Sequence, residues 1–254
     1  MQTPVPMAGG PTRSGIVSGG ASGIGRAIAL ALGREGYRVV VLDIGGAQQL
    51  RAAFARENIS GVVLEGDVAR AADCERAAAA ALELGPIHVL CNVAGIRPLG
   101  TLLETSEETW DRVMAVNIKG MFLLARAVIP HMRARGGGVI VNIGSSSGFA
   151  AKNHLAYSVA KGAVIPFTKS LALDHAADRI RVNCVVPGFT RSGMTGDFSE
   201  AAVQGVVSRS VAGRVGEPED IAAAVSFLVS EAASTISGTV VEVGVLPGTL
   251  PGAR

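Results

Sequence analysis

Two residues of the sequence, Tyr157 and Lys161, could transfer a proton together because they stand four positions apart. On a helix, residues at this spacing lie on the same face, one turn apart. The lysine ammonium would favour the ionised phenolate, so the tyrosine could accept and return a proton near neutral pH. A surface helix that carries both residues without a catalytic role is the alternative, and the rest of the chain has to decide between the two.

A second segment with chemical potential is rich in glycine and lies between a predicted strand and a predicted helix. It contains Gly19, Gly23 and Gly25, with Ser22 and Ile24 among them. Glycine allows positive φ angles and lets backbone N–H groups approach a phosphate, while the following helix contributes the positive end of its dipole. A tight turn without a ligand would explain the glycines alone, but the strand–turn–helix context favours a dinucleotide pyrophosphate.

Acidic residues follow the next two predicted strands. Asp43 ends the second strand, where its carboxylate would accept hydrogen bonds from the adenosine ribose hydroxyls and repel a 2′-phosphate. Neither Ser22 nor the residue after Asp43 is the cation that a 2′-phosphate would need, so we expect NAD rather than NADP. A solvated strand-end carboxylate is the alternative. Asp67, followed by Val68, could accept from the adenine amino group or cap the helix that starts at Ala71.

These residues are distributed along a regular alternation of apolar strands and alanine-rich helices. The strands are continuous apolar runs without a period of two, which indicates a parallel sheet covered by helices on both faces. We therefore predict an α/β fold, a single-domain doubly wound parallel sheet at residues 14–246, between a flexible tail at 1–13 and a second tail at 247–254. The predicted strands are 15–18, 38–43, 61–65, 87–92, 138–143, 180–186 and 239–243. The predicted helices are 23–34, 47–57, 71–84, 107–133 with a break at 117–120, 157–176 and 218–230.

Composition excludes several other classes of protein. The net charge is +2 with both signs interspersed and aromatic residues make up 4%, so nothing points to a nucleic acid or membrane partner. The three cysteines are far apart and lack CxxC spacing, which is typical of reduced cysteines in a cytoplasmic protein. The four histidines have no paired ligand spacing, so we expect no metal site.

Further motifs join the tyrosine, the lysine and the glycine-rich turn in a characteristic order. They are Ser18 in place of a usual threonine, Asp67, Asn92-Val93-Ala94-Gly95, Asn117, a serine near Ser145, and Pro187-Gly188. Together the motifs resemble the short-chain dehydrogenase/reductase family from Ser14 to Val243. The resemblance implies a Rossmann-like seven-stranded sheet with strand order 3-2-1-4-5-6-7, a homotetramer, and a small-molecule alcohol or ketone substrate.

The resemblance also implies a role for each catalytic candidate. Tyr157 would be the general acid/base, and Lys161 would lower its pKa and bind the nicotinamide ribose. Ser145 would orient the substrate oxygen, and Asn117 would hold a water that links Lys161 to solvent. In this family the catalytic serine usually stands 13 residues before the tyrosine. In this chain that position is Gly144, which has no hydroxyl. We therefore choose Ser145, with one residue missing from the loop, and Ser147 is the alternative.

Other positions would border the cofactor. Pro187, Gly188 and Thr190 resemble the segment that binds the nicotinamide carboxamide, and Ser192 stands where the family often has threonine. Asn92, which ties the fourth strand, is expected beside the cofactor with Ala94 and Gly95, which leave room for it. His154 could border the substrate, although we expect it to be a surface loop residue.

Two departures from the family pattern bear on function. The segment after the last strand, 244–248, lacks the usual Asp-Gly-Gly. Ser22 and Leu173 stand where reductases of acyl-carrier-protein substrates typically carry arginines, which argues against NADP and against carrier-protein docking. The sequence thus predicts an NAD-dependent oxidoreductase of secondary alcohols. The alternatives are an NADPH-dependent ketone or 3-oxoacyl reductase and a catalytically silent NAD-binding regulator.

Overall fold

Valine, isoleucine and leucine dominate seven strands, and the side chains of five of these strands are almost entirely buried, whereas those of the two edge strands are partly exposed. A computed structural model describes residues 12–196, 199–208 and 210–244. The strands are β1 Arg13–Ser18, β2 Tyr37–Asp43, β3 Gly61–Glu65, β4 Ile87–Asn92, β5 Gly138–Ile143, β6 Ile180–Pro187 and β7 Val240–Val243. The helices are α1 Gly23–Arg34, α2 Ala47–Arg56, α3 Ala71–Leu84, α4 Glu107–Met114, α5 Gly120–Arg135, α6 Leu155–Asp174, α7 Glu200–Val207 and α8 Pro218–Val229.

All neighbouring strands pair in parallel, in the order β3-β2-β1-β4-β5-β6-β7, which confirms the expected seven-stranded sheet. The register aligns Ser18 with Asn92, Asn92 with Asn142, and Asn142 with Cys184. The carboxyl ends of four strands therefore meet at one edge. The order reverses between β1 and β4, and ligands of open α/β sheets bind in the crevice at such a switch point.

Helices cover both faces of the sheet, because successive residues of each strand point to opposite faces. Val17 and Val41 pack toward α1 and α8, whereas Ile16 and Val40 pack toward α3 and α5. These four side chains are fully buried, and burying one valine or isoleucine contributes about 1.5–3 kcal/mol. The continuous apolar runs in the sequence follow from this two-sided burial.

The predicted helix and strand ranges agree with the structure to within two residues. The sharpest correction is at the N-terminus, where β1 begins at Arg13, inside the predicted tail of residues 1–13. The Arg13 guanidinium lies over the Tyr37 ring, 4.4 Å from its centroid, which holds this residue on the sheet. Residues 1–11 and 245–254 lie outside the described residues, and with them most of the predicted N-terminal tail, the whole predicted C-terminal tail and most of the atypical segment 244–248.

The predicted break in the long helix is a π-helical turn, Ala115–Lys119, between α4 and α5. The whole helical run from Glu107 to Arg135 is long and apolar enough to cross a membrane, but 56% of its most apolar window is buried inside the protein. It is a core helix of the sheet's second face, where α5 packs beside α3.

A small apolar cluster lies behind the N-terminal half of α6. Trp110 and Val113 of α4 pack there against Ala156 and Ala160 of α6. The two alanines are small, so α4 and α6 can approach closely. Each alanine directly precedes one of the two catalytic candidates of α6, Tyr157 and Lys161. This contact fixes the helix that carries Tyr157.

Candidate active site

A cavity of about 1440 Å³ extends along the carboxyl edge of the sheet, across the switch point. The structure brings most of the predicted site residues to its wall. They are Gly19, Ser22, Gly23, Ile24, Gly25, Asp43, Asp67, Val68, Ala94, Gly95, Ser145, Ser147, Tyr157, Lys161, Pro187, Gly188, Thr190 and Ser192. Asn92 and Asn117 are not on the wall but buried behind it.

The glycine-rich turn is shaped to admit a phosphate group. Gly19 and Gly23 have φ angles of 65° and 49°, in the left-handed region that favours glycine. A Cβ on Gly25 would lie 2.0 Å from the Gly19 carbonyl oxygen, so no side chain fits there. Ser22 is the N-cap of α1, but its side chain makes no capping hydrogen bond. The first-turn amides of α1 thus keep their capacity to bind an anion, and the turn fits a pyrophosphate.

Asp43 joins this turn to the end of β2. Its Oδ2 accepts from the Ala21 amide at 2.8 Å and its Oδ1 from the Ile44 amide at 2.7 Å. A carboxylate oxygen can accept two hydrogen bonds, so each oxygen retains a lone pair for a ribose hydroxyl. The carboxylate is therefore both a structural clamp of the turn and a potential cofactor ligand.

Asp67 is held by an arginine that the sequence did not single out. Its Oδ2 accepts from Arg112 Nη1 at 2.7 Å and its Oδ1 from the Ala69 amide at 2.9 Å. Burial acts to raise the pKa of Asp67, but the bonds from Arg112 and Ala69 outweigh it, so the pKa lies below its ordinary value. The capping alternative is wrong, because α3 has Arg70 as its N-cap, without a side-chain capping bond.

Lys161 and Tyr157 lie one turn apart on α6, as predicted, and both are buried. Lys161 Nζ donates to the Ile143 carbonyl at the end of β5, at 2.7 Å. Burial lowers the pKa of Lys161 to about 8, which the nearby Cys184 thiol opposes. A buried ammonium with one hydrogen-bond partner has further donors to offer to a bound ligand.

The pKa of Tyr157 is raised by burial, against the opposing effects of a hydrogen bond with Ser145 and the charge of Arg97. The Arg97 guanidinium, a cation that the sequence did not single out, thus favours the ionised form of this hydroxyl. Ser145, not Ser147, is the serine that acts to lower the pKa of Tyr157, and Ser145 Oγ accepts a hydrogen bond from the Ser147 amide at 3.2 Å. The geometry favours Ser145 as the active-site serine.

Gly144 explains why the family's usual serine spacing fails in this chain. A Cβ at this position would lie 3.1 Å from both Cys184 Sγ and Val186 Cγ2 of β6. The neighbouring strand leaves little room for a side chain at Gly144, and the first hydroxyl after β5 is that of Ser145.

The Asn117 side chain has a structural role, and the water that it was predicted to hold stays a prediction. Its Oδ1 accepts from the Ile96 amide at 2.8 Å and its Nδ2 donates to the Ile96 carbonyl at 2.9 Å. The side chain therefore binds the loop after β4. A Cβ on Gly95 would lie 3.3 Å from Asn117 Oδ1 and 3.6 Å from Lys161 Nζ, so the loop passes directly over the lysine. Through these bonds the Asn117 side chain positions the loop beside the lysine.

Asn92 belongs to a buried chain of hydrogen bonds. Asn92 Nδ2 donates to Asn142 Oδ1 at 2.8 Å, Asn142 Nδ2 donates to Thr168 Oγ1 at 3.0 Å, and Thr168 donates to the Val164 carbonyl at 2.8 Å. The chain joins β4, β5 and α6, and Asn92 is 1% exposed. The Asn92 side chain thus turns into the sheet and does not line the cavity, which the sequence did not lead us to expect.

Two further residues line the catalytic end of the cavity. His154, expected on the surface, is half-buried, and its ring centroid lies 6.4 Å from that of Tyr157. Its Nε2 is 2.7 Å from Arg97 Nη1. Arg97 also donates to the Met194 carbonyl in the 3₁₀ turn Gly193–Thr195. No sequence pattern indicated Arg97, since its role depends on which loops meet.

The segment after β6 closes the cavity opposite the glycine-rich turn. Thr195 Oγ1 donates to the Thr190 carbonyl at 2.8 Å and accepts from the Ser192 amide at 2.9 Å, which makes a bonded turn. A Cβ on Gly23 would meet Ser192 Cβ at 3.5 Å, so the two segments touch. Within the described part of the chain, no group of three or more His, Cys, Asp or Glu side chains is arranged to hold a metal ion.

Comparison with known proteins places this architecture among oxidoreductases. A family model described as enoyl-(acyl carrier protein) reductase matches residues 19–244. A rabbit (Oryctolagus cuniculus) protein named dehydrogenase/reductase SDR family member 4 is 38% identical, over 92% of this chain and 94% of its own. Galactitol 2-dehydrogenase (L-tagatose-forming) of Cereibacter sphaeroides is 39% identical, over 89% and 91%. A crystal structure of a variant actinorhodin polyketide ketoreductase with NADPH has a TM-score of 0.85 at 31% identity, covering 91% and 95%.

Proposed function

Because the chain belongs to the short-chain dehydrogenase/reductase family, and so to the oxidoreductases of alcohols and ketones, we propose that it is an NAD-dependent dehydrogenase that reversibly oxidises a secondary alcohol. The observation that carries the proposal is one cavity with Ser145, Tyr157 and Lys161 at one end and the glycine-rich turn at the other. A silent NAD-binding regulator would have no use for a buried tyrosine and lysine beside a partly exposed serine at the same sheet edge.

The proposed chemistry divides between the cofactor and three side chains. A bound nicotinamide supplies the hydride acceptor, while the protein supplies position and electrostatics. Ser145 donates a hydrogen bond that orients the substrate oxygen. Tyr157 takes the hydroxyl proton during oxidation and returns it during reduction. Lys161, fixed on the Ile143 carbonyl, offers its remaining donors to the ribose hydroxyls.

NAD rather than NADP is the proposed cofactor, and the end of β2 supports it. Asp43 presents its carboxylate where the adenosine ribose would lie, and Ile44, Gly45 and Gly46 follow without a cation. A second candidate, an NADPH-dependent ketone reductase, is favoured by the structural neighbour solved with NADPH. The Asp43 side chain is what separates the two candidates physically, since it would repel a 2′-phosphate.

The experiment that tests the function is Tyr157→Phe in a panel of cyclic, steroidal, sugar and hydroxyacyl secondary alcohols with NAD. Removing the acid/base should lower kcat at least about 100-fold, while the dissociation constant for NAD stays unchanged. Tyr37→Phe is the matched control, because Tyr37 lies on β2 far from the cavity, and it should keep turnover. Undiminished turnover by Tyr157→Phe would show that the proposed acid/base is wrong.

Two expectations from the family resemblance stay predictions. A homotetramer would show a solution mass of four times 25.8 kDa in light scattering, whereas the mass of one chain would contradict it. Exposed apolar side chains outside the cavity, such as Leu102, Leu103 and Phe122, offer surface for such contacts. A cytoplasmic location is tested by cell fractionation, where recovery in a membrane or secreted fraction would count against it.

A further inference from the structure

We propose that Arg97, held in place by the neutral imidazole of His154, is a positioning cation that acts on the Tyr157 hydroxyl in addition to Lys161. The proposal rests on the proposed role of Tyr157 as acid/base. It assigns a function to two cavity residues outside the tyrosine, lysine and serine set.

The two hydrogen bonds of His154 define its protonation state. Nδ1 lies 2.6 Å from the Lys152 carbonyl oxygen, which can only accept, so Nδ1 carries the proton. Nε2 lies 2.7 Å from Arg97 Nη1, which can only donate, so Nε2 is the acceptor. Only the neutral tautomer with the proton on Nδ1 satisfies both bonds. His154 is therefore a fixed acceptor whose partner is the guanidinium.

Arg97 is held from a second side as well. It donates to the Met194 carbonyl of the 3₁₀ turn after β6, whereas Arg97 itself belongs to the loop after β4. The guanidinium thus spans the catalytic end of the cavity. His154 stands immediately before α6, with its ring 6.4 Å from the Tyr157 ring, so the same imidazole borders both the cation and the reactive phenol.

The other groups that face Tyr157 cannot replace this charge. From the loop after β5 comes the neutral Ser145, and from α6 itself comes Lys161. Lys152 lines the cavity with an exposed side chain, and the described lining residues after β6 carry no charge. The charge on Lys161 depends on pH, whereas a guanidinium stays protonated throughout.

The order of titration separates the two cations. Burial brings the pKa of Lys161 down to about 8 and raises that of Tyr157 above its ordinary value. A lysine with a pKa of about 8 carries less positive charge at the alkaline pH where Tyr157 ionises, whereas the guanidinium keeps its charge there. An opposite charge nearby favours the ionised form of Tyr157.

The test uses the fact that the chain has only two tyrosines. In a Tyr37→Phe background, Tyr157 is the sole source of tyrosinate absorbance, which a rapid pH jump reads before alkaline unfolding. Arg97→Met should raise the apparent pKa of Tyr157 by about 0.5–1 pH unit. Lys161→Met should change the apparent pKa of Tyr157 by a smaller amount. Arg126→Met is the matched control, an exposed arginine on α5 outside the cavity, and should leave it unchanged.

The imidazole is tested by two substitutions at one position. His154→Leu removes the acceptor and should raise the same pKa, whereas His154→Gln keeps an amide oxygen and should restore most of the parent value. Identical titrations of Arg97→Met and Arg126→Met would overturn the proposal, as would a larger shift from Lys161→Met. If Arg97→Met does not fold, Arg97→Lys and Arg97→Gln replace it, and equal pKa values in that pair would also overturn it.

The titration requires no substrate, so its outcome is separable from the proposed function. Turnover by Tyr157→Phe would contradict the dehydrogenase mechanism whatever the titration shows. Loss of turnover in Tyr157→Phe, combined with an unshifted titration in Arg97→Met, would leave the mechanism standing and remove only the role of Arg97.

Discussion

Lys161 shows how a single buried charge can oppose folding while serving a site. Its folded-state pKa of about 8 lies below the ordinary value of 10.5. Between these two values the unfolded chain binds a proton that the folded chain has released, so stability rises with pH across that window. Below pH 8 both states are protonated and the cost of burying the ammonium is present in full.

Lys161→Met should therefore increase the free energy of unfolding at pH 7 by up to about 3 kcal/mol, although the lost bond to Ile143 offsets part of this gain. The advantage should shrink as the pH rises from 8 to 10.5. Urea denaturation at pH 7 and at pH 10 measures it, with Lys169→Met on the exposed face of α6 as the control. A destabilised Lys161→Met variant at pH 7 would contradict the burial argument.

Residue by residue, the sequence identified side chains whose chemistry depends on spacing along one element. Tyr157 and Lys161 share a helix face, and the glycines share one turn, so their proximity follows from local geometry. Arg97 and Arg112 could not be found in this way, because each acts on a residue from another loop. For Asn117 the position was predicted and its bonding was not, since Ile96 reaches it only in the folded chain.

At the scale of elements, the join between β1 and α1 is the least tolerant part of the site. Gly25→Ala would place a Cβ 2.0 Å from the Gly19 carbonyl oxygen, so the turn itself must move. We expect a loss of more than about 2 kcal/mol in stability, together with an at least tenfold weaker affinity for NAD. Urea denaturation and calorimetric titration measure the two effects.

Gly205→Ala provides the comparison, because a Cβ at Gly205 in α7 meets no atom within 4 Å. Alanine is the better helix former there, by about 0.5–1 kcal/mol, so this variant should match or exceed the parent in stability. If Gly25→Ala bound NAD as tightly as the parent, the glycine-rich turn would not be the pyrophosphate site.

The ranges of the strands and helices could be predicted wherever burial imposes a recognisable pattern of apolar residues on the sequence. The continuous apolar runs of β2, β4 and β6 follow from helices on both faces, and their ranges could be read directly. The strand order came from the family resemblance, because nothing in an apolar run specifies its neighbour. Arg13 was assigned to the tail since a charged residue gives no strand signal, and only the ring of Tyr37 shows why it belongs to β1.

For the whole molecule, cofactor choice is a question of which dinucleotide stabilises the fold. A ligand that binds only the folded state adds about 2.7 kcal/mol at 100 times its dissociation constant. At equal concentrations NAD should raise the melting temperature more than NADP, because Asp43 would repel a 2′-phosphate. Asp43→Ala should reduce this difference, while it also loosens the bonds to Ala21 and Ile44. A larger shift with NADP in the parent protein would favour the reductase alternative.

The apolar contact between α4 and α6 has a spectroscopic consequence. Trp110 is the only tryptophan of the chain, and it packs against the alanines that flank Tyr157 on α6. Fluorescence excited at wavelengths that only tryptophan absorbs therefore comes from a single indole behind the catalytic helix. A change in emission on adding a ligand or a denaturant reports on the seating of that helix, without any label.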